Sequence, residues 1–358
     1  MAYKVTLIPG DGIGPEITRA TKRVLEATGV SFRWELAVAG DRAQDMFGTP
    51  LPDYVLDSIT RNKVALKGPI TTPVGHGFRS VNVALRRTLN LYACLRPCKT
   101  YPGAPSLYSD VDIVIVRENT EGLYGGVEFD AWSPGALKLQ ELISEVLDKQ
   151  VGKDTGFSVK ITSERASRRI VKFAFDYAKD HGRKKVTAVH KANILRSSDG
   201  FFLDIAREVA REYPEIEFDE VIIDALCMEL VRKPHLFDVL VLPNLYGDFI
   251  SDLCAGLVGG MGVVPGANIG DGIAVFEPNH GSAPKYAGKN KVNPMAMMLS
   301  GVMMLRHLGE VEAADRLEGA ITQVIAEGKS VTYDLKPNHH PPVGTSEAAD
   351  AVIEKLNA

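Results

Sequence analysis

Phe237-Asp238-Val239-Leu240-Val241-Leu242-Pro243 runs directly into Asn244-Leu245-Tyr246-Gly247-Asp248-Phe249-Ile250-Ser251-Asp252, and the reading of this junction decides the fold. The first half is a short apolar run closed by proline, the pattern of a buried strand. The second half reads as the start of a helix, so the chain leaves a strand's carboxyl end, the edge at which open α/β sheets receive ligands. On such a helix Asp248 and Asp252 lie one turn apart on one face, close enough to share a divalent cation. Acids at a helix start are also favoured by the macrodipole with no ligand at all. The junction alone leaves both readings open.

Working outward, strand-like runs recur at residues 4–8, 111–116, 185–190, 221–224 and 238–242. Amphipathic stretches such as 15–28, 163–179 and 200–213 separate them, which makes the class α/β. Residues 130–157 break the alternation and read as an inserted element, 337–342 as a loop rich in Pro and His, and 346–356 as a short last helix. At 358 residues, 45% apolar and 24% charged, the chain has a globular composition and more length than one ordinary core takes, so two domains are expected. A formal charge of −4 and the lack of an extended basic segment argue against nucleic acid as a partner, and no apolar run has the length of a membrane span. Cys94, Cys98, Cys227 and Cys254 form no CxxC pairs and read as reduced thiols. With no leader-like segment before the first strand, a cytoplasmic protein is expected, unless the sequence is that of a processed precursor.

Gly10-Asp11-Gly12-Ile13-Gly14-Pro15 follows the first strand and opens a helix, as dinucleotide-binding turns do. Its spacing is GxGxG rather than GxGxxG, and no acid closes a second strand. The glycines are therefore read as a tight turn, with Pro15 starting the helix. Ser80, ahead of Val81-Asn82-Val83-Ala84-Leu85-Arg86, reads as a helix N-cap that puts Asn82 and Arg86 on one face. Free N–H groups, a hydroxyl, an amide and a guanidinium suit a carboxylate, although a capped surface helix with solvated arginines would carry the same residues. Arg96 and Arg117, each after an apolar run, shift the balance: these arginines with two aspartates and a cation would fit a small polycarboxylate.

The runs GDGIGPE, KGPITTP, SVNVALRR, LRP, RENTEGLYGG, VHKANI, NLYGDFISD and HGSAPKYAGKNKVNP follow one another along nearly the whole chain. In this order they resemble the β-decarboxylating dehydrogenases of isocitrate and isopropylmalate. The resemblance implies that family's fold: two α/β domains flanking a cleft, with a clasp insertion, and not a classical Rossmann fold. The large cofactor-binding domain would comprise residues 1–91 and 259–358, the small domain 92–121 and 164–258, and the clasp 122–163. It further implies isocitrate binding by Ser80, Asn82, Arg86, Arg96 and Arg117, catalysis by Tyr124 and Lys191, and Mg2+ or Mn2+ held by Asp224, Asp248 and Asp252. Lys191 and Asp224 would serve the neighbouring subunit, so a homodimer with shared sites is implied. Ser80 and Asn82 resemble the isocitrate branch, because an isopropyl group would need apolar side chains where a hydroxyl and an amide suit a γ-carboxylate.

On the cofactor side, Thr72 and Asn193 match residues near the nicotinamide, and His280, Gly281, Lys285, Tyr286, Asn293 and Tyr333 match the adenosine half. NAD-dependent members resemble one another in carrying Asp and an apolar residue where this chain has Lys285 and Tyr286. Aspartate accepts from a ribose 2′-hydroxyl, whereas lysine and tyrosine would bind a 2′-phosphate. NADP is the expected cofactor and NAD the alternative, because the arginine that the NADP pattern places four residues after Tyr333 is here Pro337, beside Lys336. The expected reaction is oxidative decarboxylation of isocitrate to 2-oxoglutarate and CO2, with Lys191 as base and Tyr124 as proton donor. Homoisocitrate or tartrate as substrate, a non-catalytic regulatory subunit, and a carboxylate-binding protein on the same scaffold are the rivals. A regulatory subunit is expected to have lost Tyr124, Lys191 or the aspartates, all of which are present.

Overall fold

Buried strands that alternate with amphipathic helices have one way to cover both faces, a sheet between helical layers. The computed structural model describes residues 2–72, 80–336 and 340–358. Its strands in chain order are β1 (Tyr3–Ile8), β2 (Phe32–Leu36), β3 (Val64–Lys67), β4 (Ala93–Lys99), β5 (Asp112–Glu118), β6 (Glu128–Phe129), β7 (Phe157–Ser158), β8 (Lys185–His190), β9 (Glu217–Ile222), β10 (Val239–Leu242), β11 (Pro265–Gly270) and β12 (Ile273–Pro278). Ten of them form one sheet in the order β2-β1-β3-β12-β11-β4-β5-β10-β8-β9, and β6 with β7 makes a separate ribbon. Around β1 and β3 on one side, and β10 and β8 on the other, neighbours run parallel. Between these regions β11 is antiparallel to both β12 and β4, and β4 to β5. An antiparallel centre is foreign to the all-parallel nucleotide-binding sheet, so the α/β fold is not the classical Rossmann one.

Strand alternation sorts the core. On β5 and β10, Ile113, Ile115, Leu240 and Leu242 join an apolar cluster that also takes Val5, Leu7, Val64 and Leu66 from the far end of the sheet. Val114, Val116, Val239 and Val241 face the other way, onto helices Glu164–Asp180 and Asp199–Ala210. A third cluster holds Ile8, Ile59, Ala65 and Leu85. Helix Gly14–Ala27 lies beside helix Thr345–Asn357, with Arg23 donating to the Ser346 hydroxyl at 3.1 Å.

Several expectations need adjusting. The run at 221–224 is the tail of β9, and Asp224 lies in the first turn of helix Ile223–Arg232. Strand β9 was hard to see because it is an edge strand whose Asp219 and Glu220 face solvent. The insertion is ordered as β6, helix Pro134–Leu147 and β7, with Trp132, Leu142, Val146 and Leu147 exposed. The glycine turn behaves as a turn: Gly10 (φ 73°) and Gly12 (φ 56°) adopt the left-handed region, and a Cβ on either would strike the carbonyl of Pro69 or Ser282. Pro73 to Arg79 and Pro337 to His339, which carry part of the KGPITTP run and the missing arginine position, lie outside the described residues.

Candidate active site

The site assembles where β5 and β10 end. Their parallel register sets Arg117 beside Leu242, and the chain passes through Pro243 into helix Asn244–Leu257. Arg117 is thereby held against the first turn of that helix. Its Nε and one terminal nitrogen donate to Asn244 Oδ1 at 3.1 and 2.8 Å, and its other terminal nitrogen pairs with Asp248. Gly247 makes the approach possible, because a Cβ there would lie 2.5 Å from Arg117 Cγ. The Tyr124 phenol donates to the other Asp248 oxygen, and the Arg117 guanidinium lies 5.0 Å from the Tyr124 ring centroid.

Arg96, on β4, donates to the Ser251 hydroxyl and stands 3.5 Å from Asp248. Arg86, in the last turn of helix Val81–Thr88, reaches Glu277 at 3.4 Å. All three guanidinium groups are buried, Arg117 to 1% exposure. Burial pushes the Arg117 pKa down and repulsion from Arg86 and Arg96 adds to it. Burial also works to raise the Asp248 pKa, but Arg117, Tyr124, Arg96 and Arg86 outweigh it and hold the carboxyl below its ordinary value. Tyr124 is pushed up by burial and by its bond to Asp248, so its phenol keeps its proton at neutral pH.

Sequence reasoning missed the support beneath this cluster. Glu277, at the end of β12, is a buried acid that takes Lys67 Nζ at 2.5 Å and Asn268 Nδ2 at 2.6 Å. Burial opposes its charge, yet Lys67, Arg86 and Asn268 hold its pKa down at about 2. The available signal was an acid closing the apolar run Ala274-Val275-Phe276, the same kind of signal that singled out Arg117. Ser80 is the N-cap foreseen, accepting from Val83 N at 3.4 Å and from the Thr72 hydroxyl at 3.2 Å. Buried Arg86 Nε and Asn82 Oδ1 find no partner among the described residues.

Asp252 is exposed and bonds to Asn279 Nδ2 at 3.1 Å. Asp224 does not join it and Asp248: among the described residues no three His, Cys, Asp or Glu side chains come together to hold a metal. Asp224 instead pairs with Lys191, whose ammonium lowers its pKa. Asn193 is exposed in the turn after Lys191.

In the segment after β12, Lys285 and Tyr286 are joined by Lys291, a residue that the sequence did not single out. Lys291 Nζ lies 4.7 Å from the Tyr333 ring centroid and 5.7 Å from that of Tyr286, while Lys285 Nζ lies 5.0 Å from the latter. The two rings are 6.3 Å apart. Asn293 bonds to Asp334 Oδ2 at 2.9 Å, and His280 Nδ1 bonds to the carbonyl of exposed Gly281 at 3.0 Å.

A mixed α/β sheet whose edge carries buried arginines around a carboxylate defines a class, proteins with a charge arrangement suited to a small anion. The chain belongs to the isocitrate/isopropylmalate dehydrogenase family, which it matches over residues 4–352. It is 52% identical over 331 residues to isocitrate dehydrogenase [NAD] catalytic subunit 5, mitochondrial, of Arabidopsis thaliana, covering 92% of this chain and 83% of that protein. It is 49% identical over 327 residues to the chloroplastic 3-isopropylmalate dehydrogenase of Solanum tuberosum, covering 91% of this chain and 86% of that one. The crystal structure of isocitrate dehydrogenase from Methylococcus capsulatus superposes with a TM-score of 0.92 at 50% identity, covering 100% of both chains.

Proposed function

We propose that this protein catalyses the oxidative decarboxylation of isocitrate to 2-oxoglutarate and CO2. The observation that carries the proposal is the set of buried guanidinium groups of Arg86, Arg96 and Arg117 around Asp248, with the Arg86 Nε donor lacking a partner among the described residues. That excess of positive charge suits a substrate with several carboxylates. Ser80 and Asn82, polar where an isopropyl group would need apolar contact, favour isocitrate over isopropylmalate.

Asp248 and Asp252 offer hard oxygen donors on one helix face, which fits Mg2+ or Mn2+, with Asp224 contributed across a subunit interface. Such a cation, held there, would lower the pKa of the substrate hydroxyl, and a bound nicotinamide dinucleotide would supply the hydride acceptor. The protein's own residues do the rest. Arg86, Arg96 and Arg117 orient the carboxylates, and Lys191, also from across the interface, accepts the C2 hydroxyl proton. Tyr124, kept protonated by burial and by Asp248, returns a proton to C3 after the β-carboxylate has left. The two parts of the sheet, from residues 1–91 with 259–358 and from 92–121 with 164–258, close over the substrate and exclude water.

For the nucleotide, the named relative favours NAD. The NADP reading keeps an observation of its own: the Lys285, Lys291, Tyr286 and Tyr333 cluster gathers two ammonium groups and two phenols suited to a 2′-phosphate. Initial rates at the nicotinamide wavelength, with isocitrate and Mg2+ or Mn2+ and each nucleotide, test both points. Turnover of 3-isopropylmalate but not isocitrate would overturn the substrate assignment. The ratio of kcat/KM for NADP and NAD decides the nucleotide.

A further inference from the structure

We infer that Asp199 is a positioning residue for Lys191 and that Lys160, from the inserted segment, anchors it; the inference rests on the proposed role of Lys191. Lys191 is the first residue beyond β8, where the chain turns: its carbonyl accepts from Ile194 N at 3.0 Å and Leu195 N at 2.8 Å. Its own N–H is taken by Asp199 Oδ2 at 2.8 Å. Asp199 is 0% exposed, in the first turn of helix Asp199–Ala210. Its other oxygen is paired with the Lys160 ammonium and accepts from the Ser198 hydroxyl at 3.4 Å. Lys160 in turn lies 4.7 Å from the ring centroid of Tyr246, on the helix that carries Asp248 and Asp252.

One buried carboxylate thus ties together the insertion, the turn that aims Lys191, and the helix with the paired acids. A bland account makes Asp199 an acid favoured at a helix start. Such an acid would stay in solvent and serve its own helix. Asp199 is buried and bonds back to residue 191 instead. An ion pair this buried is also no better for stability than apolar packing of the same volume. What it supplies is direction: with its backbone N–H held, Lys191 leaves the sheet on one fixed heading.

The test compares Asp199→Ala, Asp199→Asn, Lys160→Met and Lys191→Met in the full-length enzyme, each assayed well below its own melting temperature. Asp199→Asn keeps an oxygen for the Lys191 N–H and is expected to retain kcat within about tenfold. Asp199→Ala is expected to lower kcat about 100-fold, the cost of a small misplacement of a reacting group. Its isocitrate KM should stay within about threefold. Hydrogen exchange followed by mass spectrometry reads the tie without activity: the Lys191 amide should lose protection in Asp199→Ala and keep it in Asp199→Asn. Lys160→Met should give an intermediate loss of both. Inactive Lys191→Met beside Asp199→Ala with full kcat, or with a protected amide, overturns this inference alone. Active Lys191→Met overturns the role of Lys191, and the inference with it.

Discussion

Gly247 shows how much of the site hangs on a single missing methyl group. The Arg117 side chain fills the space that a Cβ would take, lying 2.5 to 3.1 Å from its ideal position. Gly247→Ala is expected to push Arg117 away from Asn244 and Asp248 and to lower kcat/KM for isocitrate about 100-fold, with the helix intact by circular dichroism. Glu277 gives a prediction with a pH signature. Its folded pKa, about 2, lies below the ordinary 4.5. The carboxylate therefore stabilises the fold above pH 4.5, and that contribution is lost as pH falls towards 2. Glu277→Gln should cost roughly 3 kcal/mol at neutral pH in denaturant titrations, and the gap to the unsubstituted protein should narrow from about pH 4.5 downward. A gap that stays constant with pH would show that the charge is not what matters. Arg96 and Arg117 were legible because each is a charge ending an apolar run, and Asp248 because it stands four residues from Asp252 at a helix start after a strand. Glu277 carried the same mark as the two arginines. Lys291 carried none, since its place beside Tyr333 depends on a contact between distant parts of the chain.

Among elements, the strands with the clearest apolar runs were read nearly in place: β8 was expected at 185–190 and is found at Lys185–His190. The hairpin of β11 and β12 went unread although Asp271-Gly272 marks its turn, with Gly272 at φ 72°. Prolines at Pro265 and Pro278 obscured both strands. That hairpin makes the centre of the sheet antiparallel, so missing it left the strand order open. Gly272→Ala meets no neighbouring atom within 4 Å and should cost only the left-handed strain, about 1 kcal/mol, with kcat/KM unchanged. A larger loss would show that the turn does more than reverse the chain.

At the scale of the molecule, the exposed apolar residues of the insertion, Trp132, Leu142, Val146 and Leu147, and the separation of Asp224 from Asp248 fit a site completed by a second chain. Complementation checks this. Arg117→Ala and Lys191→Met are each expected to be inactive alone. Refolded together, they should regain about a quarter of the unsubstituted rate if the chain forms homodimers with shared sites, since half the dimers would be mixed and one of their two sites intact. No regain would assign both residues to one chain's site.

The arrangement of the core also sets an order of events on the ribosome. The cluster packed between β5, β10 and helices Glu164–Asp180 and Asp199–Ala210 draws its fully buried residues from the stretch between Ala93 and Val241. The cluster around β1 instead needs Ala348, Ala349 and Val352, and helix Gly14–Ala27 waits for helix Thr345–Asn357 to lie beside it. The middle of the chain can therefore consolidate while synthesis continues, whereas the cluster around β1 stays open until helix Thr345–Asn357 emerges. Val5 and Leu7 of β1 and Val64 and Leu66 of β3, whose cluster closes only with that helix, are exposed for that whole interval, which makes this face of the sheet the nascent surface most in need of a chaperone.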